Sequence, residues 1–426
     1  MKVLILTLGT RGDVQPFVAL TQELQRRGHA AVLGAPKRFA ELVAGQGVVF
    51  AEVDDGPLRV LDGGSAVGDV ASGGMGAKLA LMRQMPAMFT RVLDDCWRLA
   101  STGPGRGADV IVHNGQVLAG QHVAEKLDVP AVLALPMPMY VPTRQFPWPG
   151  QQFPSWLPAS MNRMTYAGMR APAMMFGRTV DRWRAGLDLP RRRGRHDPLR
   201  RSDGGVAPVL HAVSSAVVPR PADWPSSATV TGYWFADRPD AGNGAGLDEA
   251  VWTGGSEPPV FVGFGSMAGT DPVATTRVVV EALRVAGVRG VLATGWGGLQ
   301  EVPSLPDVFV SGEVAHETVF PRVAAVVHHG GAGTTAAAVR AGVPQVVCPF
   351  VGDQPFWGAR MQQLGVAPAA VAQRELTVSA LAAAIRQAVS DPVISDAARR
   401  LGERVRAENG VATAVDLLEQ QIDGDR

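Results

Sequence analysis

Cysteine is nearly absent from this chain: Cys96 and Cys348 are the two it has, and neither lies in a CxxC spacing. A disulfide framework and a cysteine-based zinc site are therefore not expected, and a reducing, cytoplasmic compartment suits the chain. Charge of one sign is not in excess. With 40 Lys+Arg against 39 Asp+Glu, a broad nucleic-acid footprint is not expected. Long hydrophobic runs are missing too: no apolar stretch reaches the roughly 18–20 residues of a membrane span. The opening Met1 to Leu8 has the look of a signal peptide, but it stops at Gly9, and Arg11 and Asp13 follow at once. A buried first strand is the better expectation. No metal-ligand constellation and no DxD-type pair occurs, so neither a metal nor a cofactor is expected.

What the chain does have is glycine, 50 in 426 residues, and a hydrophobic share of 46%, enough for sizeable cores in two to three domains. Short apolar runs alternate with amphipathic segments. Val3–Leu8 precedes a glycine turn and a helical stretch from Val14 to Arg27, closed by Gly28, and Ala30–Gly34, Val110–Val112 and Ala131–Leu135 read as further strands. The second half repeats the pattern at Val260–Gly263, Val291–Thr294, Val308–Val310, Ala325–Val327 and Gln345–Cys348, with helices over Val273–Ala286, Ser379–Leu401 and Val411–Ile422. The fold class is α/β: two Rossmann-like domains with parallel sheets, facing each other across a cleft. Expected boundaries are 1–218 for an N-terminal domain, 219–250 for a linker rich in Pro and Gly, and 251–405 for a C-terminal domain. A C-terminal helix, 406–426, could return to the first domain. Asp54–Gly76 and Pro190–Gly205 read as loops. The second carries Arg191, Arg192, Arg193, Arg195, Arg200 and Arg201, either a solvated cluster or a site for an anionic lipid or acceptor.

The chemistry concentrates after Ala325. The strand runs into His328-His329-Gly330-Gly331-Ala332-Gly333-Thr334-Thr335 and a small-residue helix. A strand feeding a glycine turn and a helix N-terminus offers free N–H groups, a favourable dipole and room for a diphosphate. Thr334 and Thr335 could add hydroxyl donors or cap the helix. A tight turn that binds nothing is the plain alternative. Further on, Gly352-Asp353-Gln354-Pro355-Phe356-Trp357-Gly358 sets an acid beside an amide at a strand's C-terminal end, the equipment for gripping sugar hydroxyls or, more plainly, a helix cap and a surface Gln.

Together with Gly9-Thr10-Arg11-Gly12-Asp13-Val14-Gln15-Pro16, these blocks resemble the family 1 glycosyltransferases of the GT-B fold. The likeness is to sterol 3-beta-glucosyltransferases and to bacterial natural-product, glycopeptide-type enzymes. Pro142-Thr143-Arg144-Gln145-Phe146-Pro147 looks like a sterol-type segment, although Glu is more usual where Gln145 stands. The resemblance implies that His328, the turn of Gly330, Gly331, Gly333 and Thr334, and Ser266 hold the donor diphosphate. It implies that Asp353 and Gln354 hold the sugar. The Trp that plant members place under the base is missing near Glu313-Val314, so backbone groups at Val314 or a stacking face from Trp296 are the candidates there. Trp296 could equally be a core residue.

By the same resemblance Asp13 is the catalytic base, collecting a proton from the acceptor hydroxyl. Arg11, with Gly12 beside it, could reach the donor phosphates or could be a solvated loop charge. Lying ahead of Pro16, Asp13 could instead cap a helix. His113 is a candidate for the acceptor side, with Met139, Phe146 and Trp148 from a stretch rich in Met and aromatics that also suits core packing. The expected partners are a nucleotide sugar and a hydrophobic small-molecule acceptor such as a sterol, terpenoid or polyketide. Neither nucleic acid nor an integral membrane segment is expected, and no oligomeric state follows. UDP-glucose is the favoured donor and a dTDP-sugar the alternative. The rival functions are a nucleotide-sugar epimerase or phosphorylase on the same scaffold, and a non-catalytic auxiliary protein.

Overall fold

The computed structural model describes residues 1–62, 75–154, 156–191, 196–236, 250–253, 257–265, 271–294, 299, 307–312 and 314–424. Ser266, Trp296, Glu313, most of the 219–250 stretch beyond residue 236, and Arg192, Arg193 and Arg195 of the arginine cluster lie outside the described residues. The chain divides into two compact units, one of Met1–Trp148, Leu157–Asp237 and Asn409–Arg426, the other of Pro149–Trp156 and Arg238–Glu408.

The first unit is built on a parallel sheet of seven strands: β1 (Lys2–Leu6), β2 (Ala30–Pro36), β3 (Val49–Val53), β4 (Val110–His113), β5 (Ala131–Leu135), β6 (Val209–His211) and β7 (Ala228–Val230). Their order is β3-β2-β1-β4-β5-β6-β7. Chain direction along the sheet reverses between β1 and β4, and in doubly wound sheets that switch point opens a crevice at the strand ends. Ahead of its C-terminal helix, its described helices of eight residues or more are α1 (Arg11–Arg26), α2 (Met75–Ser101), α3 (Gly120–Leu127) and α4 (Ala171–Gly186). The apolar run at the N-terminus is explained by burial on both faces: Val3, Leu4, Ile5 and Leu6 are all fully buried. Alternate side chains serve opposite cores. Val3 and Ile5 join Phe17, Leu20 and Leu24 of α1, while Leu4 and Leu6 join Leu93, Cys96 and Leu99 of α2.

The second unit carries a five-stranded parallel sheet of β8 (Val260–Gly263), β9 (Gly290–Ala293), β10 (Val308–Ser311), β11 (Ala325–His328) and β12 (Gln345–Val347), in the order β10-β9-β8-β11-β12. Its helices are α5 (Pro272–Ala286), α6 (Ala332–Ala341), α7 (Gln354–Gln363), α8 (Val378–Ser390) and α9 (Pro392–Arg406). The helix expected over Ser379–Leu401 is broken in two, because Asp391 caps α9 through Val393 and Pro392 fills its first position.

Two expectations about boundaries need correction. The segment from 219 to 236 is not a linker: Trp224, Tyr233 and Trp234 are buried, and Ala228–Val230 completes the first sheet. Its Pro and Gly content marks turns around a short edge strand. The first helix begins at Arg11, three residues before Val14, so Pro16 stands inside it rather than in its first turn.

The last helix, α10 (Gly410–Gly424), packs on α1. Ala414, Val415 and Leu418 enter the core formed by β1 and α1. Arg27 donates to Asp416 at 2.5 Å and to the Ala412 carbonyl at 3.1 Å, and His29 Nε2 lies 2.7 Å from Glu419. Truncating Leu418→Ala leaves a cavity in that core and should cost about 2–5 kcal/mol. A lowered midpoint for the first unit in urea unfolding is the expected result, with the transition of the second unit unmoved.

Candidate active site

In the first unit the site is assembled at the switch point. Asn114, just past β4, ties the two loops together. Its Nδ2 donates to Thr7 Oγ1 at 3.0 Å and to the Leu8 carbonyl at 2.6 Å, while its Oδ1 accepts from the amides of Gln116 and Val117 at 3.2 Å each. This fixes the loop that carries Asp13. Thr10 is the N-cap of α1 and Asp13 its third residue. The Asp13 carboxylate accepts from the Thr10 amide (2.8 Å), the Thr10 hydroxyl (3.0 Å) and Gln116 Nε2 (3.3 Å). The expected alternative, Asp13 as N-cap, is thus replaced by a capping-box role with Thr10 at the cap. Gly9 makes room for it. With φ +136°, Gly9 approaches so closely that a Cβ there would sit 2.3 Å from Asp13 Oδ2. Arg11, at the first helical position, reaches Gln15 at 3.4 Å, and Gly12 is exposed.

Tyr140 stands beside this carboxylate. Burial, with a contribution from the Asp13 charge, raises its phenol well above the usual range, and its hydroxyl donates to the Gly115 carbonyl at 2.7 Å. On the same strand end, His113 is buried, with Nδ1 3.0 Å from the Asn114 carbonyl, and burial pushes its pKa down to about 4. His113 lines a small, partly open pocket with Val117, Leu118, Gln121 and His122. Met139, Phe146 and Trp148 are not among the lining residues of that pocket. Met139 is half-buried and its carbonyl faces His211 Nε2 at 3.3 Å; Phe146 packs on a cluster with Val141 and Trp224; Trp148 is held through its amide to Thr165 at 2.8 Å. The Pro142–Pro147 segment is pinned by Asp223, which accepts from Thr143 Oγ1 at 2.7 Å and the Arg144 amide at 2.9 Å.

In the second unit the two motifs meet. Gly330 has φ +90°, and a Cβ there would lie 2.8 Å from Val347 and 3.1 Å from the Gln354 carbonyl. Only glycine lets the turn after β11 rest on the start of α7. Gly331 is the N-cap of α6, which places Ala332, Gly333 and Thr334 in the open first turn. Thr335 is fully buried on the first-turn side of the core rather than capping the helix.

His328, expected to hold the diphosphate, is committed to the fold. His328 is fully buried and both its nitrogens are engaged: Nδ1 accepts from the Gly330 amide at 3.0 Å, and Nε2 faces Gln345 Oε1 at 2.9 Å. Burial lowers its pKa to about 3. It has no N–H left for a ligand and serves to hold the turn. His329 is the ring over the glycines. A Cβ on Gly331 would come within 2.4 Å of its Nε2 and one on Gly265 within 3.4 Å of its Cε1, while its Nδ1 is buried with no partner in the structure. The doublet could have signalled this, since the first His ends a buried central strand and the second opens the turn.

Asp353 and Gln354 sit at the start of α7. Trp357 Nε1 donates to Asp353 Oδ2 at 2.8 Å, and burial raises the carboxyl's pKa. Gln354 Oε1 accepts from the amides of Phe350 (2.7 Å) and Val351 (3.1 Å), which commits its oxygen to its own loop. Val314 is half-buried against a cluster with Phe261 and Phe320. Among the described residues no group of three His, Cys, Asp or Glu could hold a metal ion, and no helix is long and apolar enough to cross a membrane.

Residues 3–144 match the model of the glycosyltransferase family 28 N-terminal domain, and residues 291–419 that of the erythromycin biosynthesis protein CIII-like C-terminal domain. The O-mycaminosyltylonolide 6-deoxyallosyltransferase of Streptomyces fradiae is 38% identical over 99% of this chain and 97% of its own length. The chain belongs to this glycosyltransferase family. The sterol 3-beta-glucosyltransferase of Cryptococcus neoformans is 32% identical over 99% of the chain, but this glycosyltransferase spans only 27% of that longer protein. Among solved structures, the glycotransferase of kitacinnamycin superposes with a TM-score of 0.72 at 20% identity, and CalG4, the calicheamicin glycosyltransferase, with 0.68 at 18%. Each match covers 99% of this chain, with 99% of the kitacinnamycin enzyme and 98% of CalG4 covered in turn. The two parallel-sheet domains of this glycosyltransferase are those of the GT-B fold.

Gly9→Ala puts a methyl group onto the Asp13 carboxylate from a backbone that L-residues avoid, so it should destabilise the first unit by about 1–3 kcal/mol. A lower denaturation midpoint, together with an activity loss larger than the stability loss explains, is the expected pair of results. His328 and His329 are held neutral by burial, with pKa values of about 3 and about 4. Unfolding lets each bind a proton near pH 6.5. Stability is therefore undiminished above about pH 6.5 and falls as the pH drops towards 4, by up to about 1.4 kcal/mol per pH unit for each ring. A melting series from pH 7 to pH 4.5 should show the second unit losing stability, and His329→Gln should flatten the slope.

Proposed function

We propose that this glycosyltransferase moves a hexose from a nucleoside diphosphate sugar to a hydroxyl of a hydrophobic acceptor, with inversion at the anomeric carbon. The observation that carries the donor reading is the union of three parts in one place: the open first turn of α6, the unpartnered Nδ1 of His329, and the Gly330 contact that seats Asp353 and Gln354 beside them. The amides of Ala332, Gly333 and Thr334 and an N–H of His329 stabilise the charge of the departing diphosphate. Asp353 Oδ1 and the Gln354 amide NH₂ take the sugar hydroxyls, because their other polar atoms already serve Trp357 and the loop. Ser266 and Arg11 remain candidates for the phosphates.

Asp13 is the base. As the acceptor oxygen attacks the anomeric carbon from the face opposite the diphosphate, its proton passes to the Asp13 carboxylate, which Thr10 and Gln116 hold in one orientation. The acceptor class that this reading favours is a polyketide alcohol such as a macrolide, because the relative matched along nearly its whole length is named for transfer to a tylonolide. The same name favours a 6-deoxyhexose donor over UDP-glucose. A solved relative bound to thymidine diphosphate supports a dTDP carrier.

Asp13→Asn should lower kcat about a hundred- to ten-thousand-fold while donor binding is kept. His329→Ala should lower kcat/KM for the donor roughly a hundred-fold. Turnover is read by mass spectrometry over a matrix of UDP-glucose and dTDP-6-deoxyhexoses against macrolide aglycones and sterols. Near-normal turnover of D13N would remove the base assignment, and isomerised donor without any transfer would point to an epimerase.

A further inference from the structure

Among the described residues other than glycine, Asp128, Tyr140, Asp188 and His196 have positive φ. Asp128 and Asp188 lie just past the ends of α3 and α4, and a short polar side chain tolerates that conformation. Tyr140 ends no helix, and for a side chain of its bulk φ +64° is an outlier. Such strain persists only where the surrounding contacts over-determine it, and it gathers at functional sites.

The contacts that fix Tyr140 converge on one peptide group, the link between Gly115 and Gln116. The ring lies against Gly115, where a Cβ would come within 2.2 Å of Tyr140 Cε2, so a side chain at that position would collide with it. The hydroxyl donates to the Gly115 carbonyl at 2.7 Å. At the other end of the same peptide, the Gln116 amide donates to Asn114 Oδ1 at 3.2 Å. The peptide is thus pinned at its oxygen from the loop after β5 and at its nitrogen from the end of β4. The side chain that it carries is Gln116, whose Nε2 donates to Asp13 Oδ1 at 3.3 Å. Thr10 supplies its amide and its hydroxyl to the other carboxylate oxygen, Oδ2. Gln116 therefore grips Asp13 on the side that Thr10 does not.

We propose that Tyr140 is a positioning residue for the transfer reaction, holding the Gly115–Gln116 peptide so that Gln116 fixes the Asp13 carboxylate for the acceptor hydroxyl. This rests on the reading of Asp13 as the base. Tyr140 acts through Gln116 and touches no reacting atom. Burial keeps its phenol protonated well beyond the neutral range, so the hydroxyl remains a donor. A carboxylate oriented from both sides meets the acceptor with less orientational freedom to lose, and small misplacements of such a group are costly in rate.

The test is a double-mutant cycle on the full chain, read as steady-state kinetics. The probes are UDP-glucose or dTDP-rhamnose with a macrolide aglycone or cholesterol, whichever pair turns over fastest. Tyr140→Phe keeps the ring on Gly115 and removes only the hydroxyl. It should lower kcat about ten-fold and leave the donor KM within about two-fold of wild type. Gln116→Leu should lose a similar amount. Y140F/Q116L should be no slower than Q116L, and Y140F should change nothing further in the D13N background, because the hydroxyl then has no base to serve. If Y140F melts early, Gly115→Ala takes its place in the cycle, since its methyl group drives the ring and hydroxyl off the peptide. An unaltered kcat in the variant, or a loss repeated in full on top of Q116L, overturns the proposal. A donor KM that rises as kcat falls also overturns it, because that pattern marks a general loosening of the fold. Near-normal turnover of D13N alone would instead remove the base reading, and that result is visible without any change at Tyr140.

Discussion

The donor half of the molecule depends on one buried hydrogen bond, from the Gly330 amide to Nδ1 of His328. That bond requires a neutral imidazole, and full burial together with Gln345 on the other nitrogen keeps it so. With the ring locked, the chain leaves β11 in one direction, Gly330 takes a positive φ, and the next residue starts a helix whose first turn is open. Every feature that suits a diphosphate follows from that geometry: the free amides, the helix dipole, and the placement of His329 over Gly331. The first His is spent on the fold, and the second sits against Gly331 at the start of the helix.

A parallel economy operates in the first unit. Asn114 uses all of its hydrogen-bonding capacity to join the loops after β1 and β4, and Asp13 is oriented by three donors on that platform. A carboxylate held in this way loses little orientational freedom when a substrate hydroxyl arrives. Gly9 and Gly115 matter here by absence, since a side chain at either would collide with the Asp13 carboxylate or the Tyr140 ring. The site is thus shaped as much by where atoms are missing as by the polar groups present.

The C-terminal helix shows that chain order and unit membership are separate matters. The last helix carries buried Ala414, Val415 and Leu418 that belong to the core of β1 and α1. An amphipathic helix has to bury its stripe somewhere, and here the partner is at the opposite end of the chain. The Arg27–Asp416 ion pair and the His29–Glu419 contact align it at the rim, where exposed pairs contribute little energy.

The sequence alone determined the α/β class, nine of the twelve described strands, and the glycosyltransferase family, because buried parallel strands are written as unbroken apolar runs and a diphosphate turn is written as adjacent glycines. It did not show β3 or the three-residue β6, and it could not separate β7, a three-residue edge strand, from a Pro-rich connector. Nor could it say which member of His328-His329 is committed to the fold. Both are the same residue type one position apart, and the choice turns on where the strand ends and on Gln345, a partner seventeen positions away that only the folded sheet brings to Nε2.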